Sequence, residues 1–199
     1  MIVEKVELRG PRVVLEPLRE DHLPGIARAI EDGALWEIPV TVVPHPDDLP
    51  GFLRDAEAQQ DARREVVFAT VDRATNEVVG STRFRNIDAV NRRVEIGFTF
   101  IAGSWQRTHV NTEAKYLMLT HAFEVWSANR VELLTDVLNV RSRNAIARIG
   151  AWEEGVLRAH MIMRGGRVRD SLIFSIIAPE WPAVKRELEE KLGLPSAES

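Results

Sequence analysis

A strand, a loop and a helix follow one another in the stretch that decides the fold. Residues 93–127 read RVEIGFTFIAGSWQRTHVNTEAKYLMLTHAFEVWS. Apolar and polar residues alternate in part over 93–101, which predicts a strand, and apolar side chains recur every three or four residues over 112–127, which predicts a helix. Because residues 130–137 are again strand-like, a parallel strand pair or an adjacent crossover is expected around this helix.

Shorter elements extend the pattern on both sides. Further strands are predicted at 13–18, 66–71, 78–85, 155–163 and 167–177, and further helices at 20–32, 47–63, 142–149 and 179–192. Asp47 is the expected N-cap of the helix over 47–63. The three strands between 66 and 101 are close in sequence and suit an antiparallel meander. We therefore predict an α+β domain over 1–199, with a mixed, mostly antiparallel sheet flanked by helices and a frayed tail at 193–199.

Composition excludes several classes of function. The chain has 199 residues and no cysteine, which rules out disulfides, thiolate nucleophiles and cysteine-ligated zinc. Its formal net charge of −4 argues against general nucleic-acid binding. Apolar runs stay far below the roughly 20 residues of a membrane span, and the N-terminus does not resemble a secretory signal. The absence of cysteine and of a secretory signal leads us to expect a cytoplasmic protein. The five histidines do not pair at metal-ligand spacing, so no metal is expected.

The loop before the helix at 112–127 is a candidate anion site. Backbone N–H groups at a helix N-terminus are unpaired, and the helix dipole favours negative charge there, typically a phosphate. Donors that could reach the same anion are Gln106, Arg107, Thr108, Asn111 and Thr112. This feature alone is weak, because every strand–loop–helix unit has such an end.

Several spaced blocks resemble one family in order. They are residues 95–98, 105–114, 121–124, 139–146, 149–151, 153–158 and 166–170. Together they resemble the GCN5-related N-acetyltransferases (the GNAT superfamily), and within it the RimJ/RimL branch of ribosomal-protein alanine acetyltransferases. The resemblance covers roughly residues 8–192 and implies the acyl-CoA N-acyltransferase fold.

The resemblance also implies a reaction and a set of cofactor contacts. Acetyl-CoA would be the donor and co-substrate, and a primary amine the acceptor, either a protein N-terminal amine or a small molecule. The phosphate loop would be formed by Gln106, Arg107, Thr108, His109, Val110, Asn111 and Thr112. Gln106 fits the family pattern, but His109 and Asn111 stand where glycine and a second small residue are usual. A variant path of the loop is the favoured interpretation, and weakened cofactor binding is the other.

Three further groups are assigned through the resemblance. Backbone N–H groups from Phe98 to Ile101, including Phe100, would meet the donor carbonyl between two splayed strands. Asn139 would contact the pantetheine arm, or cap the next helix, or do both. Arg143 or Arg148 would lie near the polyphosphate, and a solvated helix face is the alternative for either arginine.

The catalytic residues remain open between alternatives. Glu95 is the candidate base, acting directly or through water, and its structural alternative is a surface carboxylate that pairs with Arg93 or Arg83. Asp136 and an ordered water are its rivals. Ser142 is the candidate proton donor to the leaving thiolate, or a helix-capping residue.

A non-enzymatic function is the alternative to the transferase. A catalytically silent CoA-binding or interaction protein on the same fold would explain the unusual loop.

Acidic side chains such as Glu37, Asp47 and Asp48 could attract a cationic amine. The last two strands and the C-terminal helix are candidates for a homodimer interface.

Overall fold

An eight-stranded sheet organises the chain in the computed structural model, which describes residue 1 and residues 3–195. Its strands are Leu8–Arg9 (β1), Val13–Pro17 (β2), Val66–Asp72 (β3), Glu77–Asp88 (β4), Arg93–Ile101 (β5), Arg130–Asp136 (β6), Trp152–Ile162 (β7) and Val168–Ile177 (β8). They lie in the order β1-β2-β3-β4-β5-β6-β8-β7. The β5–β6 pair is parallel and the other neighbouring pairs are antiparallel. The predicted α+β class is confirmed. Of the predicted tail, residues 196–199 lie outside the described residues.

Helices cover both faces of the sheet. They are Leu23–Glu31 (α1), Leu49–Asp61 (α2), His109–Thr120 (α3), Val140–Arg148 (α4) and Trp181–Leu192 (α5). α1 and α2 pack on one face, and α3 and α5 pack on the other. None of the helices in the described part of the chain is long and apolar enough to cross a membrane.

Strand β3 shows why the sheet has a core on each side. All seven of its residues are buried, as expected for a strand covered on both faces. Val66 and Phe68 join the core beneath α3 and α5, whereas Val67 and Ala69 join the core beneath α1 and α2. This alternation follows from the two-residue side-chain period of a strand.

Several local features differ from what the sequence predicts. α3 begins three residues earlier than predicted because Thr108 caps it, and the helix continues through a π turn at His121–Val125. Asp47 does not cap α2; instead its backbone N–H donates to His45 Nδ1. As a large aromatic side chain, Trp152 is expected in the core, but it is 72% exposed because β7 is an edge strand. The short β1 was not predicted.

Candidate functional site

A cleft opens where two parallel strands separate. β5 and β6 pair only over Arg93–Glu95 and Arg130–Glu132 in the described chain. Beyond that point, the backbone groups of β5 that face β6 have no strand partner. Unpaired backbone donors inside a sheet are uncommon and are available to a ligand.

A bulge bends β5 beside this cleft. Gly97 is opposite Arg83 and Phe100 is opposite Ser81, so β5 carries one residue more than β4 over this interval. The extra residue lies at Phe98 or its neighbour, and Phe98 has a positive φ of 45°. A bulge redirects side chains and backbone groups. The N–H groups predicted to meet a donor carbonyl, from Phe98 to Ile101, therefore follow an irregular stretch at the edge of the cleft.

Hydrogen bonds fix the loop between β5 and α3 to both β5 and α4. Gln106 Nε2 donates to the Ile101 carbonyl at 2.9 Å, and Gln106 Oε1 accepts from Arg141 Nη1 on α4. Thr108 Oγ1 donates to the Trp105 carbonyl and accepts the Val110 N–H. The side chains of Gln106 and Thr108 therefore shape the loop, and Arg141 is a basic residue at this site that the sequence motifs did not single out.

The two unusual loop residues occupy the first turn of α3. The His109 ring points toward Asp72, with Nε2 at 3.8 Å from Asp72 Oδ1, and Nε2 is buried without a hydrogen bond. The ring is thus directed at the end of β3, while Val110 packs into the core. Backbone N–H groups of His109 and Asn111 lie at helix positions whose donors have no intrahelical partner. The variant path of the loop and the weakened cofactor binding both stay predictions.

Residues of α4 border the cleft from the β6 side. Asn139 Oδ1 accepts the Ser142 N–H at 3.0 Å, so Asn139 is the N-cap of α4. Its Nδ2 donor is a different group from the capping oxygen, and the pantetheine role remains a prediction. Arg143 Nη1 lies 3.4 Å from the Val137 carbonyl at the end of β6. Ser142 is half-buried in the first turn of α4.

Glu95 is buried at the point where the strands begin to separate. Its carboxylate accepts from Arg85 Nη1 at 3.3 Å and from Asn86 Nδ2 at 2.7 Å, and the residue is 3% exposed. Burial raises the pKa of Glu95, although the neighbouring Arg85 charge opposes the shift. The interpretation of Glu95 as a surface carboxylate paired with Arg93 or Arg83 is therefore wrong, because the side chain is buried and its ion-pair partner is Arg85.

Both carboxylate oxygens of Asp136, the alternative base, already have partners. Asp136 is fully buried, one of its oxygens pairs with Arg167, and the other accepts the Leu138 N–H. Tyr116 lies outside the cleft, since its hydroxyl donates to Glu189 on α5 and its pKa is raised to about 12, chiefly by burial. Glu95 as the base stays a prediction, with Asp136 and an ordered water as its alternatives.

A cavity lies on the α2 face next to the bulge. Its volume is about 550 Å³, and a smaller apolar cavity of about 160 Å³ adjoins it. Residues lining the larger cavity include Asp55, Glu65, Arg83, Arg85, Asn86 and Phe98. Phe98 lines both cavities and thereby connects them to the bulge in β5. Of the acidic side chains in the N-terminal third, Asp55 and Glu65 line this space, whereas Glu37, Asp47 and Asp48 are not among its lining residues.

A buried lysine supports the bulge from the opposite face. Lys115 Nζ donates to Thr99 Oγ1 at 2.7 Å and to Thr82 Oγ1 at 3.2 Å. It forms no salt bridge with a carboxylate within the described residues, and desolvation lowers its pKa to about 7. The apolar periodicity of α3 did not predict this residue as part of the site.

Two arginines that follow β7 hold the segment after α1 in place. Arg164, in the turn between β7 and β8, donates to the carbonyls of Trp36 and Val43 at 2.9 and 3.0 Å. Arg167 reaches the Pro39 carbonyl at 3.1 Å and also pairs with Asp136. Over residue 1 and residues 3–195, no cluster of three or more potential ligands could hold a metal ion.

A splayed parallel strand pair, a bulge and a helix N-terminus lie together at this cleft. The pattern of the acetyltransferase (GNAT) domain family matches residues 12–151, so the chain belongs to this family. The resemblance drawn from the motifs is confirmed.

Individual relatives extend this result. "Putative ribosomal N-acetyltransferase YdaF" of Bacillus subtilis strain 168 is 35% identical over 106 residues, which are 53% of this chain and 57% of that protein. The chain thus matches little more than half the length of this relative. A GCN5-related N-acetyltransferase from Brucella melitensis is 29% identical, with a TM-score of 0.83 over 94% of this chain and 85% of its own. Mycobacterium smegmatis RimJ in complex with CoA-disulfide shares the fold, at 24% identity and a TM-score of 0.78 over 95% and 94% of the two chains.

Proposed function

We propose that this protein is an N-acetyltransferase that moves an acetyl group from acetyl-CoA to a primary amine by direct attack. The observation that carries the proposal is the cleft between β5 and β6, which opens beside the bulge and next to the N-terminus of α3. Backbone donors at the bulge suit a polarised carbonyl, and helix N–H groups suit a pyrophosphate.

The chemistry requires two proton transfers and one exchange of bonds. The amine nitrogen forms a bond to the thioester carbon, and the carbon–sulfur bond then breaks. N–H groups near Phe98 would stabilise the oxyanion between these steps. Glu95 would take the amine proton through a water, because both of its oxygens are held by Arg85 and Asn86. Ser142 would donate a proton to the departing thiolate.

Two classes of acceptor suit this reaction. A protein N-terminal amine is favoured over a free small amine, because the named relative with 35% identity carries a ribosomal N-acetyltransferase name.

One observation favours the catalytically silent alternative. Glu95 is almost completely enclosed, and its two oxygens already accept hydrogen bonds. A protein that binds CoA without transferring an acetyl group would tolerate a base in this state.

Calorimetric titration with acetyl-CoA, followed by a thiol-release assay with an alanyl peptide, tests the proposal. The chain has no cysteine, so every thiol detected comes from the donor. We expect saturable micromolar binding and acceptor-dependent thiol release. Absence of binding at millimolar acetyl-CoA would refute the transferase, and binding without thiol release for any amine would establish the silent alternative.

A further inference from the structure

Two guanidinium groups are held side by side against one aromatic ring. Arg83 and Arg85 are successive residues on the same face of β4, and Arg83 is only 4% exposed. Their Cζ atoms lie 5.1 and 4.0 Å from the centre of the Phe98 ring, and Arg83 also lies 5.5 Å from the Phe52 ring. Stacking on aromatic rings fixes the plane of a guanidinium and leaves its edge free for hydrogen bonds.

Each of these guanidinium groups retains a buried N–H that is not used. Arg83 Nη1 donates to Glu65 at 2.7 Å and lies 3.7 Å from Asp55, but its Nε has no hydrogen-bond partner in the described chain. Arg85 Nη1 donates to Glu95, while its Nε lies 3.5 Å from Glu65 Oε1 without hydrogen-bond geometry. Because buried donors are normally satisfied, two such groups beside one cavity indicate an oxygen ligand.

The charge of the cavity indicates which kind of oxygen fits. Its lining carries three guanidinium groups, from Arg64, Arg83 and Arg85, against two carboxylates, from Asp55 and Glu65. Glu95 lies behind Arg85 and is not part of the lining. Glu95 balances Arg85 from behind, so the lining itself presents one more guanidinium group than carboxylates to the cavity, and a ligand carboxylate would accept charge-assisted hydrogen bonds from these groups.

We propose that Arg83 and Arg85 bind a carboxylate of the amine acceptor, so that the substrate is an amine that also carries a carboxylate group. This inference rests on the proposed function, because it places the acceptor in the cavity beside the bulge. Phe98 joins the two features: its backbone forms the bulge and its ring orients both guanidinium groups. The carboxylate could belong to a free amino acid or to an acidic side chain of a peptide.

Ligand-observed saturation-transfer NMR on the CoA-loaded protein tests the inference without requiring turnover. The probes are two matched pairs: alanine against alaninamide, and the dipeptide amide Ala-Asp against Ala-Asn. We expect the carboxylate member of at least one pair to bind ten times more tightly than its amide. A preference confined to the first pair identifies a free amino acid, and one confined to the second identifies an acidic peptide. Equal binding within both pairs, or no binding of either carboxylate probe, would overturn the inference.

Substitutions assign the preference to the arginines. The double variant Arg83→Gln/Glu65→Gln removes an ion pair without leaving either charge unpaired, and it should reduce the carboxylate preference to less than twofold. Arg83→Lys keeps the charge and the Glu65 pair but lacks the Nε–H. If the double variant does not fold, the carboxylate preference is measured in Arg83→Lys instead, and it should likewise decrease. Arg54→Gln, at an exposed position of α2, is the matched control and should retain the preference.

The inference and the proposed function fail separately. If the variants keep the full carboxylate preference, the assignment to Arg83 is wrong even when thiol release proceeds. If carboxylate binding depends on Arg83 but no thiol is released, the binding site stands and the transferase is refuted. Affinity for acetyl-CoA should stay within twofold in all variants, since none of them alters the loop before α3.

Discussion

At the scale of single residues, Glu95 is predicted to be the base, and its burial gives a pH dependence. The carboxylate accepts an amine proton only when it is ionised, and burial raises its pKa above the ordinary range. The rate should therefore increase with pH through that raised pKa. Glu95→Gln should lower kcat by on the order of 10²-fold and flatten this part of the profile. Thiol release measured between pH 5 and pH 9 checks both effects.

A control separates the base from a general loss of charge. Glu77→Gln changes an exposed carboxylate at the start of β4 and should leave the pH profile unchanged. If Glu95→Gln keeps the wild-type rate and profile, an ordered water without Glu95 performs the deprotonation.

Lys115 gives a second prediction at this scale, for stability rather than rate. Its pKa is 10.5 in the unfolded chain and about 7 in the folded one. Between these values the unfolded state binds a proton that the folded state does not, so the free energy of unfolding falls as pH decreases from 10.5 to 7. Below pH 7 both states are protonated and the contribution is constant. The full loss is on the order of 4–5 kcal/mol.

Lys115→Met removes this proton-linked loss. The difference in free energy of unfolding between variant and wild type should shift in favour of the variant as pH decreases from 10 to 7. Urea denaturation at pH 7, 8, 9 and 10 measures it, and Lys5→Met, at an exposed site, serves as the reference. A difference that is constant across this range would mean that Lys115 titrates normally in the folded protein.

At the scale of elements, the start of α4 combines a cap with a predicted cofactor contact. Asn139→Ala removes both the capping oxygen and the amide donor, and should cost about 0.5–2 kcal/mol in stability from the cap alone. Asn139→Asp keeps the capping oxygen but has no N–H donor. If the amide holds the pantetheine arm, Asn139→Asp should bind acetyl-CoA less tightly by about 1–3 kcal/mol at nearly wild-type stability. Calorimetry and thermal denaturation of both variants check this.

Wild-type affinity in Asn139→Asp, together with a stability loss in Asn139→Ala, would show that Asn139 acts only as the cap of α4.

The helices and strands were largely predictable, because the spacing of their apolar side chains is visible in neighbouring residues. Strand β5 has the predicted bounds, and the helix after it follows from apolar residues three and four apart. Boundaries that depend on one hydrogen bond were missed, such as the Thr108 cap of α3. So was the exposure of Trp152, since the sequence does not show that β7 lies at the sheet edge.

The site was predicted less completely than the fold, since its contacts join distant parts of the chain. Motif spacing placed Glu95 and the loop before α3, but it gave the wrong partner for Glu95. Arg85 becomes that partner through the antiparallel register of β4 and β5, which pairs Arg85 directly with Glu95. The role of Lys115 was not predicted, because its contacts with Thr82 and Thr99 are also distant in sequence. Without those contacts, a lysine on α3 is expected to face solvent.

At the scale of the whole molecule, the site is assembled from segments on both sides of the sheet centre. The cavity on the α2 face is built by α2, the segment that joins α2 to β3, and the strands β4 and β5, whereas α4 and the turn between β7 and β8 belong to the other half. Arg164 and Arg167 connect these halves by holding the segment around residues 36–43. Because their partners are backbone carbonyls, the connection depends on the arginines and not on the identity of the side chains they hold.

The arginine contacts of this segment should therefore control acceptor access without controlling global stability. Arg164→Gln removes two hydrogen bonds to carbonyls at an exposed turn, so hydrogen exchange at residues 36–43 should increase by about tenfold, a local opening cost of roughly 1.4 kcal/mol. KM for the acceptor should rise, while the affinity for acetyl-CoA and the midpoint of thermal unfolding should change little. Arg158→Gln, on the exposed part of β7, is the control. Unchanged exchange over residues 36–43 in Arg164→Gln would show that packing of the segment against α1 and α2, rather than the arginines, holds the segment in place.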